Sequence, residues 1–194
     1  MHPCLPPLAG MRVACVMAAL AALLAGGCSS DTPKSAAPSP AAARAALRGS
    51  PPSLARLHRQ ANDLLAGGAA AFRRRIGDLR GYPIVVNQWG SWCAPCRSEF
   101  PFFQRLSVRY GKRIAFLGVD GNDTPASARR FLDRYPVSYP SFTDPNLEIA
   151  KVFHGGLAFP TTVYYDPRGR LSFIHQGAYP SERKLAEDIR RYAR

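Results

Sequence analysis

An apolar run of strand character, Ile84-Val85-Val86-Asn87-Gln88-Trp89, passes through a short loop into a helical pattern, and two cysteines stand at the junction. The helical pattern extends from Cys93 to Tyr110, with Pro95 in its first turn and Phe100, Phe103, Leu106 and Tyr110 along one face. No other feature constrains the fold as strongly. A buried strand must deliver the chain to the N-terminus of a helix whose first turn holds Cys93 and Cys96. Such a terminus presents unpaired N–H groups and the positive end of the helix dipole. Both favour a thiolate over a thiol. Two intervening residues let the pair close a disulfide within one turn. Cys93 is therefore expected to be the exposed attacking nucleophile, and Cys96, one turn inside, to resolve the mixed disulfide. Pro95 lacks an N–H that the first turn would leave unused, and it stiffens the loop.

The other cysteines are accounted for by the N-terminus. Residues 1–27 contain one basic residue, Arg12, then an apolar run from Val13 to Ala25 and the small residues Ala25-Gly26-Gly27. That order is expected of a secretory signal, with translation starting at Met1 or at Met11. The run is shorter than the ~20 residues a bilayer span needs. Leu24-Ala25-Gly26-Gly27-Cys28-Ser29-Ser30 resembles the lipobox of bacterial lipoproteins, departing from it at Ala25, where leucine is most usual. The expectation is that cleavage leaves Cys28 first and lipidated, anchoring the protein to the cell membrane on its extracytoplasmic side. The alternative is a simple secreted protein in which Cys28 is incidental. Cys4 and Cys15 leave with the signal, so of five cysteines only Cys93 and Cys96 remain as thiols. A single close pair in an exported protein serves redox chemistry or metal binding rather than a structural framework.

The net charge of +13 comes almost wholly from arginine, 22 Arg against 4 Lys. A nucleic-acid surface is one reading of such a charge. The arginines are scattered, however, with Arg73-Arg74-Arg75 the only run, and an exported protein rarely meets DNA. A solvated basic face against anionic headgroups fits better.

Residues 28–52 are rich in Ser, Ala and Pro, with prolines at 33, 38, 40, 51 and 52, and read as a flexible tether. Residues 53–194 read as the folded domain, of which 53–78 form a helical N-terminal extension. Ser53 caps a pattern of Leu54, Leu57, Ala61, Leu64 and Leu65 that Gly67-Gly68 ends, and a second short helix covers 69–79. After the strand and the cysteine helix come a strand at 113–119, a helix at 124–135 opened by Thr124-Pro125, and a short helix at 146–153. Strands at 161–165 and 171–176 are joined by Asp166-Pro167-Arg168-Gly169-Arg170, and a helix at 181–193 closes the chain. The order β-α-β-α-α-β-β-α demands a sheet that starts parallel and finishes antiparallel, covered on both faces.

Val85-Val86-Asn87-Gln88-Trp89-Gly90-Ser91-Trp92-Cys93 resembles the entry to the active site in the thioredoxin superfamily, and more closely in its exported TlpA/ResA-like branch. Pro101 matches that family's helix-kinking proline, and Phe159-Pro160-Thr161-Thr162 its cis-proline signature. Phe116-Leu117-Gly118-Val119-Asp120 and the helix after it resemble the branch's insertion. The resemblance runs from about residue 79 to 194. It implies a thioredoxin-like three-layer α/β/α sandwich with a mixed central sheet, and thiol–disulfide exchange on exported cysteine-containing proteins, as in cytochrome c maturation. It implies no cofactor beyond the redox-active disulfide Cys93–Cys96, and an upstream electron donor or acceptor of the membrane thiol-redox kind. Trp92, Ala94, Pro95, Phe159 and Pro160 would contact substrate, with the backbone at Phe159-Pro160 pairing with an extended segment. Three departures stand out. Helical sequence occupies the place of an opening β-hairpin. Ala94 replaces an acidic residue that some cytochrome-maturation members carry. Asn87 stands where cytoplasmic thioredoxins bury an aspartate, and Glu99, the nearest carboxylate, is expected to face solvent.

Ala-Pro between the cysteines is closer to the Gly-Pro of reducing thioredoxins than to the polar pairs of strong oxidants, which favours a reductant and leaves a disulfide-forming oxidant open. A copper-binding metallochaperone using Cys93, Cys96 and a histidine is the other alternative. Copper carriers of this fold usually space their cysteines wider, and Pro160 guards the site. A peroxidase would need a different cysteine placement. His58, His154 and His175 are read as a helix, a loop and a solvent-facing strand residue.

Overall fold

The computed structural model describes residues 36–194. Its elements are α1 (Pro40–Ala46), α2 (Pro52–Arg59), β1 (Leu64–Leu65), α3 (Gly68–Asp78), β2 (Ile84–Trp89), α4 (Ala94–Tyr110), β3 (Ala115–Gly121), α5 (Pro125–Arg134), β4 (Ser141–Asp144), α6 (Glu148–Val152), β5 (Thr161–Tyr165), β6 (Leu171–Gln176) and α7 (Glu182–Tyr192). Six strands form one sheet in the order β1-β4-β3-β2-β5-β6. β1, β4, β3 and β2 run parallel, while β5 pairs antiparallel with both β2 and β6. This is the thioredoxin-like fold that the resemblance implies.

Every residue of β2 is buried, as its unbroken apolar run requires of a strand covered on both faces. Alternate residues serve the two cores. Val85 and Trp89 pack with α4, α5 and α7, whereas Ile84 and Val86 pack with α2, α3 and α6. Trp89, Phe100 and Phe131 form an aromatic triad, with centroid separations of 4.8–5.4 Å. Aromatic pairs at these spacings add to what their burial contributes. The Trp89 indole N–H is satisfied by Ser141 Oγ at 3.2 Å.

The N-terminal half departs from expectation. Leu64 and Leu65 belong to no helix; they pair in parallel with Ser141 and Phe142 of β4. Gly67, read as a helix end, adopts a left-handed φ of 112° and precedes α3 instead. The cause lies in β4, whose Phe142 side chain is buried and whose outer edge needs a hydrogen-bonding partner. The tether expectation is corrected over 40–46. Ser39 caps α1 by accepting from Ala42 N at 3.2 Å, and Ala43 and Leu47 are buried. Those two residues lie among prolines and alanines, where composition hides them. Residues 28–35, and with them the signal expected at 1–27, lie outside the described residues.

Candidate active site

Cys93 and Cys96 form a disulfide with Cα atoms 5.3 Å apart. Cys93 is the N-cap of α4 in extended backbone, and its sulfur accepts from Cys96 N at 3.1 Å. The helix terminus thus donates to the first sulfur, as a helix N-terminus does to an anion. The expectation that Cys93 is exposed is corrected in this disulfide state. It is 3% exposed, against 0% for Cys96, so it remains the more accessible of the two. Pro95 lies in the first turn and Ala94 beside it is exposed.

The surface around the pair is apolar. Trp92 is 51% exposed, and its ring lies 4.9 Å from that of Phe159. The Phe159–Pro160 peptide is cis. Trp92, next to Cys93 in the chain, and Phe159 therefore share one patch, and Pro160 beside Phe159 is buried. Two glycines make this contact feasible. A Cβ on Gly90 would lie 2.6 Å from Trp92 Nε1, and one on Gly121 2.7 Å from the Phe159 ring. Trp92 Nε1 donates to Asn122 O at 3.0 Å, and Ser91 N donates to Asp123 Oδ2 at 2.6 Å. The loop after β3 thereby holds the loop before Cys93 from two points.

Glu99 is the main correction. It is fully buried on α4, where Asn87 Nδ2 donates to its Oε1 and Tyr179 N to its Oε2, both at 2.9 Å. Burial pushes its carboxyl up to about 7, with the Tyr179 and Asn87 hydrogen bonds pulling the other way. Asn87 thus holds a buried carboxyl that is supplied by α4 rather than by β2. The signal was present in the sequence. Residues 96, 99, 103 and 106 recur at helical spacing on the face of Cys96, Phe103 and Leu106. Tyr179 is locked in turn, its hydroxyl 2.8 Å from Tyr164 Oη and donating to Asp188 Oδ2 at 3.0 Å. His175 also departs from expectation, stacking on Tyr179 at 4.0 Å.

A second buried carboxyl lies behind the loop. Asp120 at the end of β3 is pushed up to about 8, by burial first and by the negative charges of Asp123 and Asp144 next. The two oxygens of Asp144 accept from Ile149 N and Ala150 N of α6 at 3.0 and 2.9 Å. Among the described residues no group of three His, Cys, Asp or Glu side chains is placed to hold a metal ion, and no helix is long and apolar enough to cross a membrane.

A redox-capable pair at a strand–helix junction, next to a cis-proline, is the geometry of thioredoxin-like proteins, and comparison with known sequences agrees. Residues 59–174 match the model of the AhpC/TSA family. The chain belongs to that family. Among its relatives, the thiol-disulfide oxidoreductase ResA of Oceanobacillus iheyensis is 32% identical over 56% of this chain and 57% of its own length. ResA of Halalkalibacterium halodurans is 29% identical over 64% of this chain and 71% of its own. The chain thus spans little more than half of the first of these relatives. Among solved structures, MTB DsbF is 25% identical with a TM-score of 0.54, over 58% of this chain and 82% of its own.

Proposed function

We propose that this family member is an extracytoplasmic thiol–disulfide oxidoreductase, held at the cell membrane by a lipidated Cys28, that reduces disulfides of exported proteins, apocytochrome c being one example. The observation that carries the chemistry is the Cys93–Cys96 disulfide at the N-terminus of α4, with the buried carboxyl of Glu99 one turn beyond Cys96. The relatives named ResA support the same chemistry. No cofactor beyond the cysteine pair enters the proposal.

In the reduced protein, the Cys93 thiolate attacks one sulfur of a substrate disulfide and expels the other as a thiolate, giving a mixed disulfide. Cys96 then loses its proton and attacks the Cys93 sulfur. That step releases the second substrate thiolate and closes Cys93–Cys96. The substrate gains two electrons and the protein loses them, so a membrane thiol-redox donor must return two. A carboxylate with a value near 7 can take the Cys96 proton without being ionised at every pH. The patch of Trp92, Ala94, Pro95, Phe159 and Pro160 is suited to an extended apolar segment around the substrate cysteine.

The deciding measurement is the reduction potential of the pair against a glutathione buffer. A reductant should lie near thioredoxin, roughly −270 mV; a value near −120 mV would make the protein a disulfide-forming oxidant. Mass spectrometry of membrane-extracted protein should find acylated Cys28 as the first residue. A soluble mature form beginning elsewhere would remove the anchor from the proposal.

A further inference from the structure

On the face of the sheet carrying α3 and α6, a cleft of about 390 Å³ opens between α3, the loop after α6 and the β5–β6 hairpin. Its lining includes Arg73, Arg80 and His154. Among the described residues none of these three side chains makes an ion pair or a hydrogen bond. Tyr165, at the end of β5, also lines the cleft; its ring is largely buried, with the residue 6% exposed, while its unpaired hydroxyl is not sealed from solvent. Arg73, Arg80 and His154 are exposed, and no carboxylate lines the cleft, so two guanidinium charges face its opening without a counter-charge. The only carboxylate on the hairpin, Asp166, is occupied, accepting from Arg168 N, Arg170 N and the Arg170 guanidinium at 2.9 Å.

Two of the walls, α3 and the hairpin, are held together. Gly81 N donates to Pro167 O at 2.7 Å, clamping the end of α3 to the hairpin. Gly169, with φ of 75°, brings the hairpin so close that a Cβ there would touch Ile76 at 3.4 Å and Arg80 at 3.8 Å. Ile76, Val152 and Leu171 supply an apolar side, and Leu171 is 42% exposed.

We infer that this cleft is an anion site for a phosphate ester, bound by Arg73, Arg80, His154 and the Tyr165 hydroxyl, with the apolar side receiving the ester's organic part. Two guanidinium forks, an imidazole and a phenol hydroxyl from three separate elements line the one cleft; a phosphate's three terminal oxygens can be approached from several sides at once, and guanidinium forks match their geometry. Tyr165 pairs with Ile84, at the opposite end of β2 from Trp89, so the site is remote from the disulfide and independent of the redox reading. The ester could be a free metabolite or a phospholipid headgroup.

Titration calorimetry of the full chain with inorganic phosphate and with glycerol 3-phosphate, at constant ionic strength in chloride, tests the inference. Saturable binding is expected, weakened about tenfold in Arg73→Gln/Arg80→Gln and roughly threefold in Tyr165→Phe. The charge-matched pair Arg129→Gln/Arg130→Gln, on α5 against the other face, should bind as the parent does. Co-sedimentation with phosphatidylglycerol or phosphatidylcholine vesicles separates the sources. If the cleft pair weakens phosphatidylglycerol binding and the α5 pair does not, the ester is a headgroup; if only the soluble ligands respond, it is a free ester. The inference is overturned if neither probe distinguishes the cleft variants from the α5 pair, or if phosphate does not bind saturably.

Discussion

At the scale of single residues, Cys93 and Cys96 are chemically unequal because one caps α4 and the other lies inside it. Cys96→Ser should accumulate a mixed disulfide between Cys93 and a substrate on non-reducing gels, whereas Cys93→Ser should trap nothing. If Cys93→Ser alone captured partners, the roles would be reversed. Glu99 carries a pH signature with a definite sign. Its folded value, about 7, exceeds the ordinary 4.5, so the folded protein holds that proton more tightly than the unfolded chain. The resulting stability is complete below 4.5 and is lost as pH rises through 7, by at most about 3 kcal/mol. Glu99→Gln keeps an acceptor for Tyr179 N and removes the buried charge. Urea unfolding at pH 5 and pH 8 should show the parent losing more stability than the variant between the two, and the variant's exchange rate should lose the parent's rise near pH 7. Parallel losses in the two proteins would move the raised carboxyl elsewhere. Asp120→Asn should behave alike, over a window reaching about 8.

At the scale of elements, the question is what holds the site's supports in place. Helix α7 does so indirectly, since Asp188 anchors the Tyr179 hydroxyl and Tyr179 N holds Glu99. Lys184 Nζ completes the chain of contacts at 2.8 Å from Asp188. Asp188→Asn should therefore alter the pH profile of thiol exchange rather than only lower stability; an unchanged profile would reduce Asp188 to a packing role. Helix α1 tests the domain boundary. Leu47 is buried, and an ideal Cβ on Gly111 would lie 2.8 Å from its Cδ2. Leu47→Ala should cost roughly 2–4 kcal/mol in denaturant unfolding while leaving the rate of disulfide exchange unchanged. A cost below about 1 kcal/mol, within the range of ordinary surface changes, would return 40–47 to the tether.

At the scale of the whole molecule, the anchor and the fold are separable. Cys28→Ala should shift the protein from the membrane fraction to the soluble one without changing the potential of the pair; persistence at the membrane would assign the attachment to another segment. The parallel-then-antiparallel sheet, the cysteine helix and the cis-proline were all legible in the sequence. The first two rest on local chemistry, an apolar run with no polar face and a 3.6-residue period, and the cis-proline on the resemblance of Phe159-Pro160-Thr161-Thr162 to a family signature. Two strands were not legible. β1 has two residues and β4 four, too short for any period to stand out, and both exist because parallel pairing gives their backbone groups partners. The tether hid α1 because helix and coil share its alanine-rich composition, and only burial of Ala43 and Leu47 separates them. The site divides the same way. The sequence by itself placed the cysteine pair at a helix N-terminus, because the strand run before it and the helical period after it are both local patterns. Only the tertiary structure decided that a carboxyl is buried one turn along α4 from Cys96: Glu99 becomes a buried acid through Asn87, 12 residues away, and Tyr179, 80 residues away, and the cost of burying a charge depends on the surroundings that folding brings together.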